Sequence, residues 1–290
     1  MSPDEQKEVG NEVEHPSANE SKDAQSHAVN NILKEPVMVH TSNVPKRGIY
    51  LLPNAITTAN LFAGFFAIMQ AMNHRFEWAA LAIFAAMVMD GMDGRIARLT
   101  NTQSSFGEQY DSMADMVSFG IAPALVMYTY TLNDLGRWGW LAAFVYVAGA
   151  ALRLARFNSN INIVDSRFFQ GLPSPAAAAL TAGFVWLSVD NRLPISDPHA
   201  WVAFTITVYA GLTMISNAPF FSGKSGFIQE KRSPALIMTA LVLLFALLML
   251  NAPLVITLVF LSYTVSGWIV MFLRWRKIKR LKNKRQQQSF

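Results

Sequence analysis

The chain has 290 residues, 52% of them hydrophobic and 15% charged, with no cysteine and a formal net charge of +5. That charge fraction is well below the roughly 25% of soluble domains, and the apolar residues fall in long segments, which excludes an ordinary soluble protein and points to a multi-pass helical membrane protein. The missing cysteines exclude a disulfide framework and a thiolate metal site.

Residues 1–45 carry eight acids and three lysines and are poor in aromatics. They lack the basic and apolar regions of a secretory signal and read as a disordered acidic cytoplasmic tail. A catalytic membrane domain is expected over 46–273, followed by a basic cytoplasmic tail at 274–290. Eight membrane helices of about 20 residues each are expected, at 49–72, 76–98, 108–131, 138–158, 173–189, 199–217, 233–250 and 252–273. Asn251 and Pro253 divide the last two. No repeat or intervening soluble domain is visible, so the fold class is an all-α membrane helix bundle.

Eight spans place both termini on one side. Loops on that side carry Arg95, Arg98, Arg153, Arg156, Arg167, Lys224, Lys231 and Arg232, against Arg75, Arg137 and Arg192 opposite. The positive-inside rule makes that side cytoplasmic, in the cell (inner) membrane. From Arg274 to Arg285 the chain has eight Lys/Arg and no acid. Directly after an apolar segment, this suits a juxtamembrane anchor on anionic lipid better than nucleic-acid binding.

Four of the eleven acids after residue 45 stand in one stretch, as Asp90, Asp93, Asp111 and Asp115. Spacings of three and four put each pair on one helical face, about 4.5 Å and 6 Å apart in rise. Interfacial acids paired with Arg95 and Arg98 would be the plain explanation. Two carboxylate ladders on facing helix ends instead make a cage of hard oxygen ligands, suited to Mg²⁺ or Mn²⁺ and not to zinc. Four carboxylates exceed the needs of one octahedral ion that keeps its waters, and fit a pair of ions. Gly94 and Gly107 beside them serve helix packing or let a ligand lie against backbone. Arg98 supplies a guanidinium suited to a phosphate oxyanion.

The pattern D-x-x-D-G-x-x-A-R, eight residues, then G-x-x-x-D-x-x-x-D is filled by Asp90, Asp93, Gly94, Ala97, Arg98, Gly107, Asp111 and Asp115. It resembles the signature of the CDP-alcohol phosphatidyltransferases. The resemblance implies a six-helix core with a cytoplasmic-surface active site, two metals on the first three aspartates, and Asp115 completing the metal site and acting as general base. It implies contacts to the CDP portion of CDP-diacylglycerol from Gly94, Arg98 and Gly107, from Ser104, and from Asn54 and Thr57 in P-N-A-I-T-T-A-N. It also implies a homodimer.

Four further stretches resemble the phosphatidylserine synthase branch: A-D-M-V-S-F-G-I-A-P-A (114–124), L-R-L-A-R-F-N (152–158), F-Q-G-L-P-S-P-A-A-A (169–178) and I-S-N-A-P-F-F-S-G-K (215–224). The expected reaction is phosphatidyl transfer from CDP-diacylglycerol to L-serine. Arg153 and Arg156, three apart, either pair the serine carboxylate or enforce topology and bind headgroups. Asn158, Gln170 and Asn217 are candidate polar partners or helix caps. His199 is expected on the far side, away from the chemistry. Alternatives are another acceptor, such as glycerol 3-phosphate or inositol, and a cation transporter, which would bury its acids near the bilayer midplane.

Overall fold

The computed structural model describes residues 51–100, 102, 104–159, 168–193, 196–221 and 234–287. The expected tail at 1–45 and the loop charges Arg167, Lys224, Lys231 and Arg232 lie outside the described residues. The helices fall where apolar runs were expected: α1 (Leu51–Met72), α2 (Phe76–Leu99), α3 (Ser105–Asp115), α4 (Ala122–Tyr130), α5 (Arg137–Ser159), α6 (Ser174–Asp190), α7 (Asp197–Ile215) and α8 (Pro234–Gln287). The expected span 108–131 is built from α3 and α4, joined without a loop by a π-helical turn, Met116–Ile121. The expected division at Asn251 is present inside α8, where φ −159° and ψ 86° leave the helical range. The Asn251 side chain then caps the restarted helix by accepting from Leu254 N at 2.9 Å.

Among the described residues, four stretches are long and apolar enough to cross a membrane: Leu52–Met72, Arg137–Ser159, Asp197–Ile215 and Phe245–Lys277. Large apolar side chains point outward along them, among them Phe62, Phe65, Trp140, Phe144, Trp201, Leu212, Leu258 and Ile269. Outward apolar surface on this scale is a lipid-facing feature. The chain is an integral membrane helix bundle. α2 is set apart by its charges, Glu77, Asp90, Asp93, Arg95 and Arg98, and α6 by its length of 17 residues.

Small residues let these helices approach closely. Ala67 and Ala71 of α1 meet Ala79, Ala80, Ala82, Ile83 and Ala86 of α2 in one buried seam. α6 is buried nearly all round, from Ala176 to Val185 and at Ser174 and Ser188. A helix apolar on every side belongs at the centre of a bundle. α5 and α7 cross where Gly149 meets Gly211, and a Cβ on Gly149 would come within 2.4 Å of the Gly211 carbonyl oxygen.

A short strand pair joins two of the segments between helices. Phe168–Gln170 (β1) and Pro219–Phe221 (β2) form a short antiparallel ladder, with Phe168 opposite Phe221 and Gln170 opposite Pro219. Gly171, at φ +81°, turns the chain from β1 toward α6, and a side chain there would strike the Met214 and Ser216 carbonyls.

The helix ends sort into two groups. One gathers the end of α2, the start of α3, the end of α5, the start of α6 and the end of α7, linked by Thr57–Asp93, Ser112–Asn158, Arg153–Ser174 and Arg156–Ile215 contacts. The other holds Phe76, Tyr130 and His199, with ring centroids 5.0 and 5.8 Å apart in turn. His199 also stacks on Phe184 at 5.1 Å, an aromatic packing role at the end remote from the aspartates.

Gly149→Val is expected to force α5 and α7 apart and cost about 1–3 kcal/mol as an overpacked contact. A fall in the thermal-unfolding midpoint of the detergent-purified protein checks this.

Candidate active site

α2 delivers Asp90 and Asp93 in its last turns, and α3 delivers Asp111 and Asp115. One carboxylate oxygen from each of Asp90, Asp93 and Asp111 lies within 4.8 Å of the others. Asp115 sits beside Asp90 and Asp111 and completes the group. α3 can bring its pair here because it starts sharply. Ser104 is its N-cap, and its Oγ accepts from Gly107 N at 3.0 Å.

α1 supplies polar groups that hold the acids from beneath. Thr57 Oγ1, 4% exposed, lies 2.8 Å from Asp93 Oδ2 and 3.1 Å from the Pro53 carbonyl. Asn60 donates its side-chain amide to Asp115 Oδ1 at 3.2 Å. The cation facing the acids is Arg153, which lies toward Asp115 and Asp90. Arg98, expected in that position, donates Nε to the Gly94 carbonyl at 2.8 Å along its own helix.

An open pocket lies over the carboxylates. Pro53, Asn54 and Thr57 of α1, Asp93, Gly94 and Ala97 of α2, and Gly107, Glu108 and Asp111 of α3 line it, with Thr102 and Ser104 from the turn between. Of the residues expected to meet the CDP portion, Asn54, Thr57, Gly94, Ser104 and Gly107 line this pocket. The two glycines differ. A Cβ on Gly94 would meet nothing closer than Arg98 Nη2 at 4.0 Å, so helix packing does not require glycine there. A Cβ on Gly107 would press on Ser104 Oγ at 3.1 Å and approach Asn54 Oδ1 at 3.6 Å. Thr57 and Ser104 both spend a hydroxyl contact on the protein, one on Asp93 and one on the α3 cap.

The two arginines of α5 separate as well. Arg153 donates Nη1 to Ser174 Oγ at 2.6 Å, with Tyr263 of α8 close by. Arg156 donates from both Nη atoms to Gln170, Met214, Ile215 and Ser216 carbonyls and to Asn217 Oδ1, at 2.8–3.3 Å. It ties the β1 and β2 loops to α5. Asn158 bonds Ser112 Oγ of α3 at 3.1 Å, so it links helices. Asn217 likewise serves Arg156.

Sequence reasoning passed over Asn60, Ser174 and Tyr263. A signal for Asn60 was present, since it follows Thr57 by three and shares its helix face. Ser174 and Tyr263 lie 21 and 110 positions from Arg153, and only the tertiary fold joins them.

The carboxylate group fits divalent cations. Asp111 Oδ1 is buried without a hydrogen-bond donor, and the converging oxygens are hard, anionic ligands with Arg153 the cation facing them. A helix bundle with carboxylates gathered under a pocket at one end is the architecture of a membrane-embedded phosphotransfer enzyme. The model of the CDP-alcohol phosphatidyltransferase family matches residues 50–215, and the chain belongs to that family. It is similar to the CDP-diacylglycerol–serine O-phosphatidyltransferases of Helicobacter pylori strains J99 and 26695, 36% and 37% identical over 236 residues, 80% of this chain and 96% of each relative. The enzyme of the same name from Mycobacterium leprae is 37% identical over 147 residues, 49% of each chain. The family expected from the motif and the branch expected from the four further stretches agree with these relatives.

Replacing Arg156 with Ala strips several carbonyls of their donor, and a loss of at least about 2 kcal/mol is expected. Arg153→Ala is expected to keep the fold better while abolishing activity. Thermal unfolding and turnover measured on both variants check the contrast.

Proposed function

We propose that this enzyme transfers the phosphatidyl group of CDP-diacylglycerol to the hydroxyl of L-serine, releasing phosphatidylserine and CMP. The observation that carries the reading is the convergence of Asp90, Asp93 and Asp111, with Asp115 beside them, where Asp93 and Asp111 line a pocket walled by the motif residues. The choice of serine is supported by the names of the relatives and by Arg153, whose guanidinium suits a carboxylate.

Asp90, Asp93 and Asp111 would hold two divalent cations, Mg²⁺ or Mn²⁺, with Asp115 completing the set. Bound there, such cations neutralise the pyrophosphate and the charge growing on the departing CMP. Thr57 fixes Asp93 for that task from 2.8 Å. Asn54, Gly94, Ser104 and Gly107 shape the pocket for the CDP portion, and Arg98, four residues beyond Gly94 on α2, is the charge for an outer phosphate oxygen. Asp115 takes the proton of the serine hydroxyl as that oxygen bonds to the lipid-side phosphorus and the bond to CMP breaks. Arg153 orients the acceptor by its carboxylate, while Arg156 is committed to the loops. Positioning and charge supply most of the catalysis, as in other phosphoryl transfers.

The arginine-bearing helix ends carry the site, which supports a cytoplasmic face for it, with both termini on that side. The acids lie in end turns of α2 and along α3, at the end of the bundle, which favours an interfacial enzyme over a cation transporter. A homodimer is proposed from family resemblance, and cross-linking in native membranes tests it.

Four outcomes are expected. Purified protein given CDP-diacylglycerol, Mn²⁺ or Mg²⁺ and a panel of alcohols should release CMP with serine, whereas release with glycerol 3-phosphate or inositol in its place would overturn the acceptor. Asp115→Asn should lower turnover at least about 1000-fold while CDP-diacylglycerol still binds. Thr57→Val should raise the cation concentration for half-maximal activity about 10-fold, and excess chelator should stop the wild-type enzyme.

A further inference from the structure

We propose that Asn60 is the positioning residue for Asp115, and that a glycine-dependent contact between α1 and the π-helical turn holds Asn60 in place. The inference rests on the reading of Asp115 as the base.

Asn60 is fully buried on α1, three residues beyond Thr57. Its amide nitrogen donates to Asp115 Oδ1 at 3.2 Å, while its own Oδ1 is buried without a donor. An amide that leaves its carbonyl unmatched is poor packing for a helix seam, and a leucine would fill the same volume without that penalty. The amide is useful only for what its nitrogen does. Only the NH₂ side faces a carboxylate favourably, so Asp115 selects the orientation of Asn60 as much as Asn60 selects that of Asp115. With Oδ1 of Asp115 engaged, the carboxylate is held in one orientation.

The backbone around Asn60 is fixed from the same side. Ser118, in the π-helical turn that begins directly after Asp115, donates Oγ to the Asn60 carbonyl at 2.9 Å. One turn further along α1, Gly64 lies against Ser118, where a Cβ would come to 2.4 Å from Ser118 Oγ and 2.7 Å from its Cα. Glycine is therefore the residue that lets α1 come this close. Phe119 of the same turn has its carbonyl taken by Tyr146 of α5 at 3.1 Å. The π-helical turn is thus anchored on two sides, and the base stands directly before its first residue. Local π-helix is frequent at functional sites, where it redirects the side chains next to it.

The test uses full-length protein in detergent, with kcat, KM for both substrates, and the thermal-unfolding midpoint measured in chelator. Asn60→Leu is expected to lower kcat about 10- to 100-fold, to leave both KM values within about 2-fold, and to keep or raise the midpoint. Gly64→Ala is expected to lower kcat in the same direction and to lower the midpoint. Placed on Asp115→Asn, the Asn60→Leu change should cost no further rate. A kcat for Asn60→Leu within about 3-fold of wild type overturns the proposal. So does a joint fall of kcat, rise of KM and fall of midpoint, which marks Asn60 as support for the fold alone. If Asp115→Asn stays active, the base assignment itself fails. If Asp115→Asn is inactive and Asn60→Leu is not, only the positioning role fails.

Discussion

Everything in this bundle answers to the mutual repulsion of four carboxylates brought together beside lipid-facing helices. Like charges at this separation, away from bulk water, spring apart unless something holds them. Here the restraint is built from neutral donors and one cation. Thr57 and Asn60 reach up from α1, and Arg153 faces across from α5. The alanine seam of α1 and α2 and the capped start of α3 then fix the helices that carry the acids. An arrangement so charged suits a task in which cations and phosphates complete it.

The site divides the molecule into two flanks. α1, α2 and α3 form the pocket over the motif residues. α5, α6 and α8 bring Arg153, Ser174 and Tyr263 to the other side of Asp115. The family match, residues 50–215, takes in the first flank together with Arg153 and Ser174, while Tyr263 lies beyond it.

Much of this was legible in the sequence. Apolar runs located the described helices in chain order, with one expected span divided between α3 and α4 and two expected spans joined in α8 across the break at Asn251. The aspartate spacing gave the site, because i, i+3 and i, i+4 positions share a face whatever the tertiary fold. What stayed hidden depends on contacts between distant positions. Arg98 stands next to the acids in sequence, yet its guanidinium bonds its own helix, and Arg153 takes the facing place. Arg156 looked equivalent to Arg153, but the two loops curl their carbonyls around it. The π-helical turn leaves no mark in the apolar pattern, and the β1–β2 ladder joins segments about 50 residues apart.

α6 has a further consequence for how the bundle meets the bilayer. At 17 residues it is about 25 Å long, short of the roughly 30 Å hydrocarbon thickness. A lipid-exposed helix of that length would thin the bilayer around it. Buried nearly all round by its neighbours, α6 is spared that mismatch. The longer helices around it, such as α5 with 23 residues, then set the bilayer thickness that the protein fits.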